Sequence, residues 1–360
     1  MGVHEKIREI EEEMARTQVN KATERHLGLL KAKLAKLKKE IIGGKGSKKT
    51  GSSGFDVKKS GDSTVVLIGL PSVGKSTILN KMTKQQSKVA AYAFTTLTVI
   101  PGIFEYKGAK IQILDLPGII SGAKEGAGRG REILSVARSA DLIMIILDVF
   151  HPNIKTILDE LEGFGIRLNQ KPPNVVITKK QKGGITVNRT VKTTKLDDKT
   201  IEDVLGEYGM HSADVVIRQD VSVDEFIDVV VGNREYIPAI TVLNKVDLVS
   251  RDYLKQVKFS YLPVAAEKNF NIDKLKDAVY DGLDLIRVYT KPRMGEADMK
   301  EPMIVRSGIT VAEFCDRLHR DLRKNFKYAQ IWGTSARFQG QKVGIEHRLK
   351  DGDIVTIVAR

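Results

Sequence analysis

The chain has 360 residues, enough for two or three hydrophobic cores, and its 41% hydrophobic and 29% charged residues are those of an ordinary globular protein in water. The apolar run 142–147 stops at Asp148, well short of the ~18 residues of a membrane span. The charged start at 1–13 lacks a signal-peptide core, and the single cysteine, Cys315, excludes an internal disulfide, so a cytoplasmic protein with neither membrane nor DNA partners is expected. The excess of 59 Lys and Arg over 45 Asp and Glu, +14 in all, points instead toward a polyanion such as RNA.

From the N-terminus, Ile7, Ile10 and Met14, then Leu27, Leu30, Leu34, Leu37 and Ile41, recur at steps of three and four. That spacing predicts two amphipathic helices joined near 17–21, a hairpin over 1–45. Residues 1–60 hold 15 Lys and Arg against 8 Asp and Glu, half the net excess of the chain. Lys31, Lys33, Lys36, Lys38 and Lys39 read either as a solvated outer face or as an RNA-contacting arm. A Gly/Ser/Lys linker follows at 46–59.

From about residue 60, short apolar runs alternate with helical patterns, as in a doubly wound α/β sheet. Behind the apolar run 64–68 comes Gly69-Leu70-Pro71-Ser72-Val73-Gly74-Lys75-Ser76, and a helix-like stretch follows through Thr77. Glycines at 69 and 74 let backbone N–H groups curl round phosphate oxygens, Lys75 can reach β and γ phosphates, and the Ser76 hydroxyl can ligate Mg²⁺. At average residue usage the pattern arises by chance in roughly one chain of this length in a hundred, less often still between a strand and a helix. Next, in Tyr92-Ala93-Phe94-Thr95-Thr96-Leu97, Thr96 rather than Thr95 can bring a hydroxyl to Mg²⁺. The strand 111–114 ends at Asp115-Leu116-Pro117-Gly118, where Asp115 can hold the Mg²⁺ shell through water and the Gly118 N–H can bond the γ-phosphate. The Ile119 side chain can neither donate nor accept a hydrogen bond to orient an attacking water, so slow hydrolysis is expected. Arg129 and Arg131 read as solvated switch residues or as charge stabilisers.

An insertion at 172–235 is expected from strand-like runs at 174–178, 185–191 and 214–217 and helix-like runs at 198–208 and 223–231. The sheet then resumes, with the apolar run 239–243 leading to Asn244-Lys245-Val246-Asp247. A buried Asp247 carboxylate would accept hydrogen bonds from N1–H and the 2-amino group of guanine, which adenine does not offer there. Asn244 would tie this loop to the phosphate loop, and the Lys245 stem would lie on the base. After 291–295 breaks the last helix of the sheet region, a strand at 303–305, a helix at 311–322, strands at 330–332 and 354–358 and a turn at 349–353 are expected. His319 and His347 are isolated, without metal-ligand spacing.

In the segments 69–77, 91–97, 115–123 with glycines at 126, 128 and 130, and 244–247, together with 21–34, 182–185 and the C-terminal region, the chain closely resembles the developmentally regulated GTP-binding proteins of the Obg superfamily. The resemblance implies an α/β fold: a doubly wound P-loop GTPase sheet over 60–171 and 236–290, the helical hairpin, the inserted α+β subdomain, and a β-grasp TGS domain over 291–360. It implies GTP and GDP as substrate and product, Mg²⁺ as cofactor, and a nucleotide set of Gly69, Pro71, Ser72, Val73, Gly74, Lys75, Ser76, Thr77, Phe94, Thr95, Thr96, Asp115, Gly118, Asn244, Lys245, Asp247, Ala265 and Ala266, with catalysis resting on Lys75, Thr96 and Gly118. Two departures matter. The guanine loop reads Ala265-Ala266-Glu267, so only a backbone N–H near Ala266 carries over, and Ser72 stands where potassium-activated relatives often have Asn, which leaves K⁺ in question. The expected role is a slow GTPase switch on ribosomes or RNA, open to a regulatory protein partner; the alternative is an RNA-binding scaffold with GTP as a structural ligand.

Overall fold

The computed structural model describes residues 2–18, 20, 23–43, 61–83, 90–91, 98–116 and 136–359. Helices α1 (Val3–Arg16) and α2 (Glu24–Gly43) come first, then β1 (Ser63–Ile68), α3 (Lys75–Met82), β2 (Ala90–Ala91), β3 (Thr98–Tyr106), β4 (Ala109–Asp115) and β5 (Leu142–Asp148). Next are α4 (Lys155–Gly163), β6 (Ile166–Leu168), β7 (Val175–Lys179), β8 (Ile185–Arg189), α5 (Asp198–Glu207), β9 (Ala213–Ile217), α6 (Val223–Val231) and β10 (Glu235–Ile237). The chain continues with β11 (Ala239–Asn244), α7 (Arg251–Lys255), β12 (Leu262–Pro263), α8 (Ile272–Gly282), β13 (Leu285–Thr290), β14 (Met303–Arg306), α9 (Val311–Leu318), α10 (Arg320–Lys324), β15 (Phe326–Trp332), β16 (Gln341–Val343) and β17 (Asp353–Ala359). It divides into two compact units, one built from 2–43 and 155–237, the other from the described residues of 61–154 and 238–359.

In the second unit a seven-stranded sheet runs in the order β12-β11-β5-β1-β4-β3-β2. Strands β12, β11, β5, β1 and β4 are mutually parallel, and β3 is antiparallel to β4. Every residue of β1 and β5 is buried, which is why residues 65–68 and 142–147 are continuous apolar runs rather than alternating ones. Ile78 and Leu79 of α3 and Leu275 and Val279 of α8 are fully buried in the same core; each such side chain contributes ~1.5–3 kcal/mol by leaving water.

The five-stranded C-terminal sheet has the order β14-β13-β17-β15-β16. It begins at Leu285, within the stretch assigned above to the end of a GTPase helix. Asp284 at φ +50° ends that helix, and Ile286 and Val288 alternate into the C-terminal core with Phe314 and Ile331. The single helix expected at 311–322 is two helices, because His319 is extended (φ −166°, ψ 133°) and its Nδ1 accepts the Asp321 N–H at 3.3 Å as the cap of α10. The cap of α9 is a reciprocal Thr310–Glu313 pair.

The first unit joins the hairpin to the insertion. A three-stranded sheet, β7-β9-β8, carries α5 and α6, and α2 lies across both helices. Ala32 of α2 is fully buried with Ile201, Val204, Leu205 and Phe226, and a Cβ on Gly28 would stand 3.2 Å from Val223 Cγ1. Small residues at 28 and 32 let α2 approach closely, which accounts for a glycine inside a helix where it costs ~1 kcal/mol against alanine. Helix α4 and strand β6, placed above in the GTPase part ending at 171, also group with this unit.

Candidate nucleotide site

Because β1, β4, β5, β11 and β12 are parallel, their carboxyl ends lie along one edge of the sheet, where ligands of such folds bind. That edge carries Gly69, Asp115, Asp148, Asn244 and Ala265. A Cβ on Gly69 would stand 2.2 Å from Ile146 O, and Gly74, at φ +94°, would place one 2.3 Å from Asn244 Nδ2. Neither position admits a side chain. Ser72, at φ +66°, holds the left-handed conformation as a non-glycine residue.

Lys75 follows at the start of α3, 9% exposed, its Nζ donating to Gly69 O at 3.0 Å and Leu70 O at 2.9 Å. Burial pushes its ammonium below the ordinary lysine value, with the Asp115 carboxylate opposing. A buried cation at a helix N-terminus is primed to receive negative charge. Ser76 Oγ donates to Asp115 Oδ2 at 2.8 Å, while Asp115 Oδ1 is buried with no hydrogen-bond partner among the described residues. A buried carboxylate oxygen with an open valence beside a hydroxyl is an all-oxygen donor set, which suits a hard cation such as Mg²⁺. The residues present fit that ion.

Asn244, 3% exposed, donates through Nδ2 to Val73 O at 2.9 Å and accepts the Ala266 N–H through Oδ1 at 3.2 Å, so one side chain ties together the phosphate loop, its own loop and the loop after β12. Lys245, at φ +63°, extends its Nζ to Ser72 O at 2.8 Å and Asp148 Oδ2 at 2.9 Å, 5.8 Å from the Phe150 ring centre. Asp247 is not buried as expected; it sits at the rim, its side chain 21% exposed, 3.0 Å from Lys268 Nζ. Ala265 and Ala266 are both 2% exposed. Pro71, Val73 and Thr77 lie in the phosphate loop and the first turn after it. Phe94, Thr95, Thr96 and Gly118 lie outside the described residues, as do Ile119, Arg129, Arg131 and the linker.

Sequence reading missed Asp148, Phe150 and Lys268. The available signal for Asp148 was a carboxylate ending an otherwise wholly apolar strand. Burial pushes that carboxyl up, but the hydrogen bonds from Lys245 and the His151 N–H, with the Lys245 charge, outweigh it and hold it below the ordinary carboxylate value.

The candidate RNA arm is arranged otherwise than its charge suggested. Lys31 Nζ bonds Asp224 Oδ2 at 2.6 Å, Lys36 Nζ bonds Glu207 O at 2.7 Å, Lys38 pairs with Glu11 at 3.1 Å and Lys39 Nζ bonds Val231 O at 2.8 Å. These four lysines hold α2 within its own unit, and Lys33 alone of the five is left exposed on α2 without such a contact among the described residues. His347 bonds Ser335 Oγ at 3.0 Å. Among the described residues there is no cluster of His, Cys, Asp and Glu suited to a metal, and no helix long and apolar enough to cross a membrane.

Three family descriptions match in succession: a 50S ribosome-binding GTPase over residues 64–179, the C-terminal region of that domain over 182–285, and a TGS domain over 286–359. With the parallel sheet and its phosphate loop, they define a GTP-binding protein of the P-loop GTPase family carrying a C-terminal TGS domain. An uncharacterized GTP-binding protein of Methanocaldococcus jannaschii is 52% identical over 100% of this chain and 94% of its own length. Developmentally-regulated G-protein 3 of Arabidopsis thaliana is 51% identical over 99% of both chains, and developmentally-regulated GTP-binding protein 1 of Xenopus laevis 50% identical over 100% of both. The chain belongs to the developmentally regulated GTP-binding proteins.

Proposed function

We propose that this protein binds GTP with Mg²⁺ at the carboxyl edge of its seven-stranded sheet, hydrolyses it slowly, and uses the γ-phosphate as a switch for association with ribosomes or RNA in the cytoplasm. The observation that supports this most directly is the set of bonds made by Asn244, which lock the phosphate loop to both loops of the guanine side. In this reading the backbone N–H groups of 69–76 and the Lys75 ammonium hold the phosphates. Ser76 and Asp115 would hold Mg²⁺, with Thr96 joining them when the γ-phosphate is present. Magnesium, when bound, neutralises charge on the phosphate oxygens. Asp247 accepts from N1–H and the 2-amino group of guanine, the Lys245 stem covers the base, and the Ala266 N–H faces the guanine O6. Asp148 and Ser72 O position Lys245 by holding its ammonium.

Hydrolysis is slow in this reading because Ile119 can neither donate to nor accept from an attacking water, so the orienting group has to come from a partner or from a monovalent cation. The family description naming 50S ribosome binding supports a ribosomal partner. The nucleotide assignment is tested by calorimetry. Tight GTP and GDP binding with ATP weaker by about 10⁴ is expected from a site that leaves polar groups unpaired with adenine; equal affinity for ATP would refute it. The switch is tested by turnover with and without ribosomes and potassium, and fast turnover by the isolated protein in sodium buffer would refute slow intrinsic hydrolysis.

A further inference from the structure

Strand β15 presents two unlike faces. Ala329 and Ile331 are fully buried in the C-terminal core with Phe314, while Tyr328, Gln330 and Trp332 alternate onto the other face. The neighbouring strands extend that face, since Lys342 of β16 is paired with Gln330, and Val358 of β17 with Tyr328. A groove of about 540 Å³ lies there, lined by Arg293, Lys327, Tyr328, Gln330, Val358 and Ala359, with no carboxylate among them. Lys342 Nζ stands 4.9 Å from the Tyr328 ring centre and Lys291 Nζ 4.6 Å from that of Trp332. Where four hairpin lysines are held by carboxylates and carbonyls, Lys291 and Lys342 lie over aromatic rings, and Arg293 Nη2 donates to Ala359 O at 3.1 Å.

We infer that this groove is a binding site for single-stranded RNA, in which a base stacks on Tyr328, the Gln330 amide meets a base edge, and Lys327, Lys342 and Arg293 take phosphates. The inference rests on the proposed RNA or ribosome role and moves its contact surface from the hairpin to the C-terminal sheet. Charge complementarity selects a polyanion, and the rings select one with exposed bases. An exposed cation over a ring is held more weakly than a stacked base, so a base displaces Lys342 and leaves its ammonium available to the phosphate beside it. Duplex RNA keeps its bases stacked on one another and cannot use the rings. An acidic peptide would meet the cations but leave the aromatic side idle.

The test is fluorescence anisotropy of a short labelled single-stranded RNA with the full chain, read across a salt series. The exposed pair of changes Lys327→Glu and Lys342→Glu, made together, is expected to weaken binding tenfold or more and to reduce the slope of log K against log salt by about 1.4, the value for two phosphates of a single strand. Tyr328→Ala is expected to weaken binding about tenfold with the slope unchanged, and Tyr328→Phe to restore it. Circular dichroism and the melting temperature stay at wild-type values in every variant, which shows that the fold persists. Unchanged RNA binding in the double variant overturns the site. Loss on Lys33→Glu alone overturns it in favour of the hairpin while leaving the RNA role standing, and absence of RNA binding by the wild type overturns both. Polyglutamate binding as tight as RNA binding overturns it in favour of an acidic protein partner.

Discussion

Gly74 shows how much one residue decides at this site. It combines φ +94° with a neighbouring amide nitrogen 2.3 Å from where a Cβ would sit, and that amide is the one that ties three loops together. Gly74→Ala therefore strains the phosphate loop and displaces Asn244; left-handed strain of ~1–3 kcal/mol alone corresponds to about five- to 150-fold in affinity. GDP titration by calorimetry is expected to show about a hundredfold loss, and near-wild-type affinity would show that the loop geometry is not needed for binding. Asp148 makes a pH-dependent contribution. Its folded-state carboxyl lies below the ordinary value of 3.8, so the stabilisation it gives is present above that value and is lost as the pH falls through the folded one. The melting-temperature gap between wild type and Asp148→Asn should be widest at neutral pH and shrink in acid; a gap that widened in acid would contradict the assignment. The phosphate loop could be read directly because its signal is a contiguous pattern of residue types. The Asp148–Lys245 pair could not, because its members are 97 residues apart and meet only through adjacent parallel strands.

At the scale of elements, the strands and helices of the insertion fall within about a residue or two of their sequence-derived bounds, and α1 and α2 follow from steps of three and four. Their partners do not follow. Leu27, Leu30 and Leu34 marked an apolar face, whereas Gly28 and Ala32 are the residues that meet α5 and α6, and their smallness carries no hydrophobic signal. The break at His319 was hidden for a similar reason, since both sides of it have helical spacing and the cap is made by a ring nitrogen. Ala32 has no room for added volume at this contact: at 0% accessibility, Ala32→Leu overpacks it and is expected to destabilise the hairpin–insertion unit by ~1–3 kcal/mol in urea unfolding. Nucleotide affinity should be unaffected, because the candidate site belongs wholly to the other unit. A neutral result in urea would mean that α2 is not anchored through this stripe in solution.

For the whole molecule, the central question is whether the nucleotide governs association or only completes the fold. Lys75 separates the two because it lies at the phosphates and nowhere near the groove on β15 in sequence or sheet. Its ammonium is buried, and desolvation pushes it below the ordinary lysine value, so a triphosphate is the group that would compensate it. Lys75→Ala removes that cation without adding volume and is expected to weaken GTP binding about thirtyfold or more, as removal of a charged partner from a buried phosphate contact typically costs ~2–5 kcal/mol. If the protein is a switch, wild-type co-sedimentation with ribosomes differs between GDP and a non-hydrolysable GTP analogue, and the variant shows one nucleotide-independent level. If it is a scaffold, wild type and variant co-sediment equally with either nucleotide, and the γ-phosphate has no part in the association. Binding of free single-stranded RNA separates the layers further: it should survive Lys75→Ala under both readings, so its loss in that variant would mean that the nucleotide site and the RNA-binding surface are coupled in a way that neither reading contains.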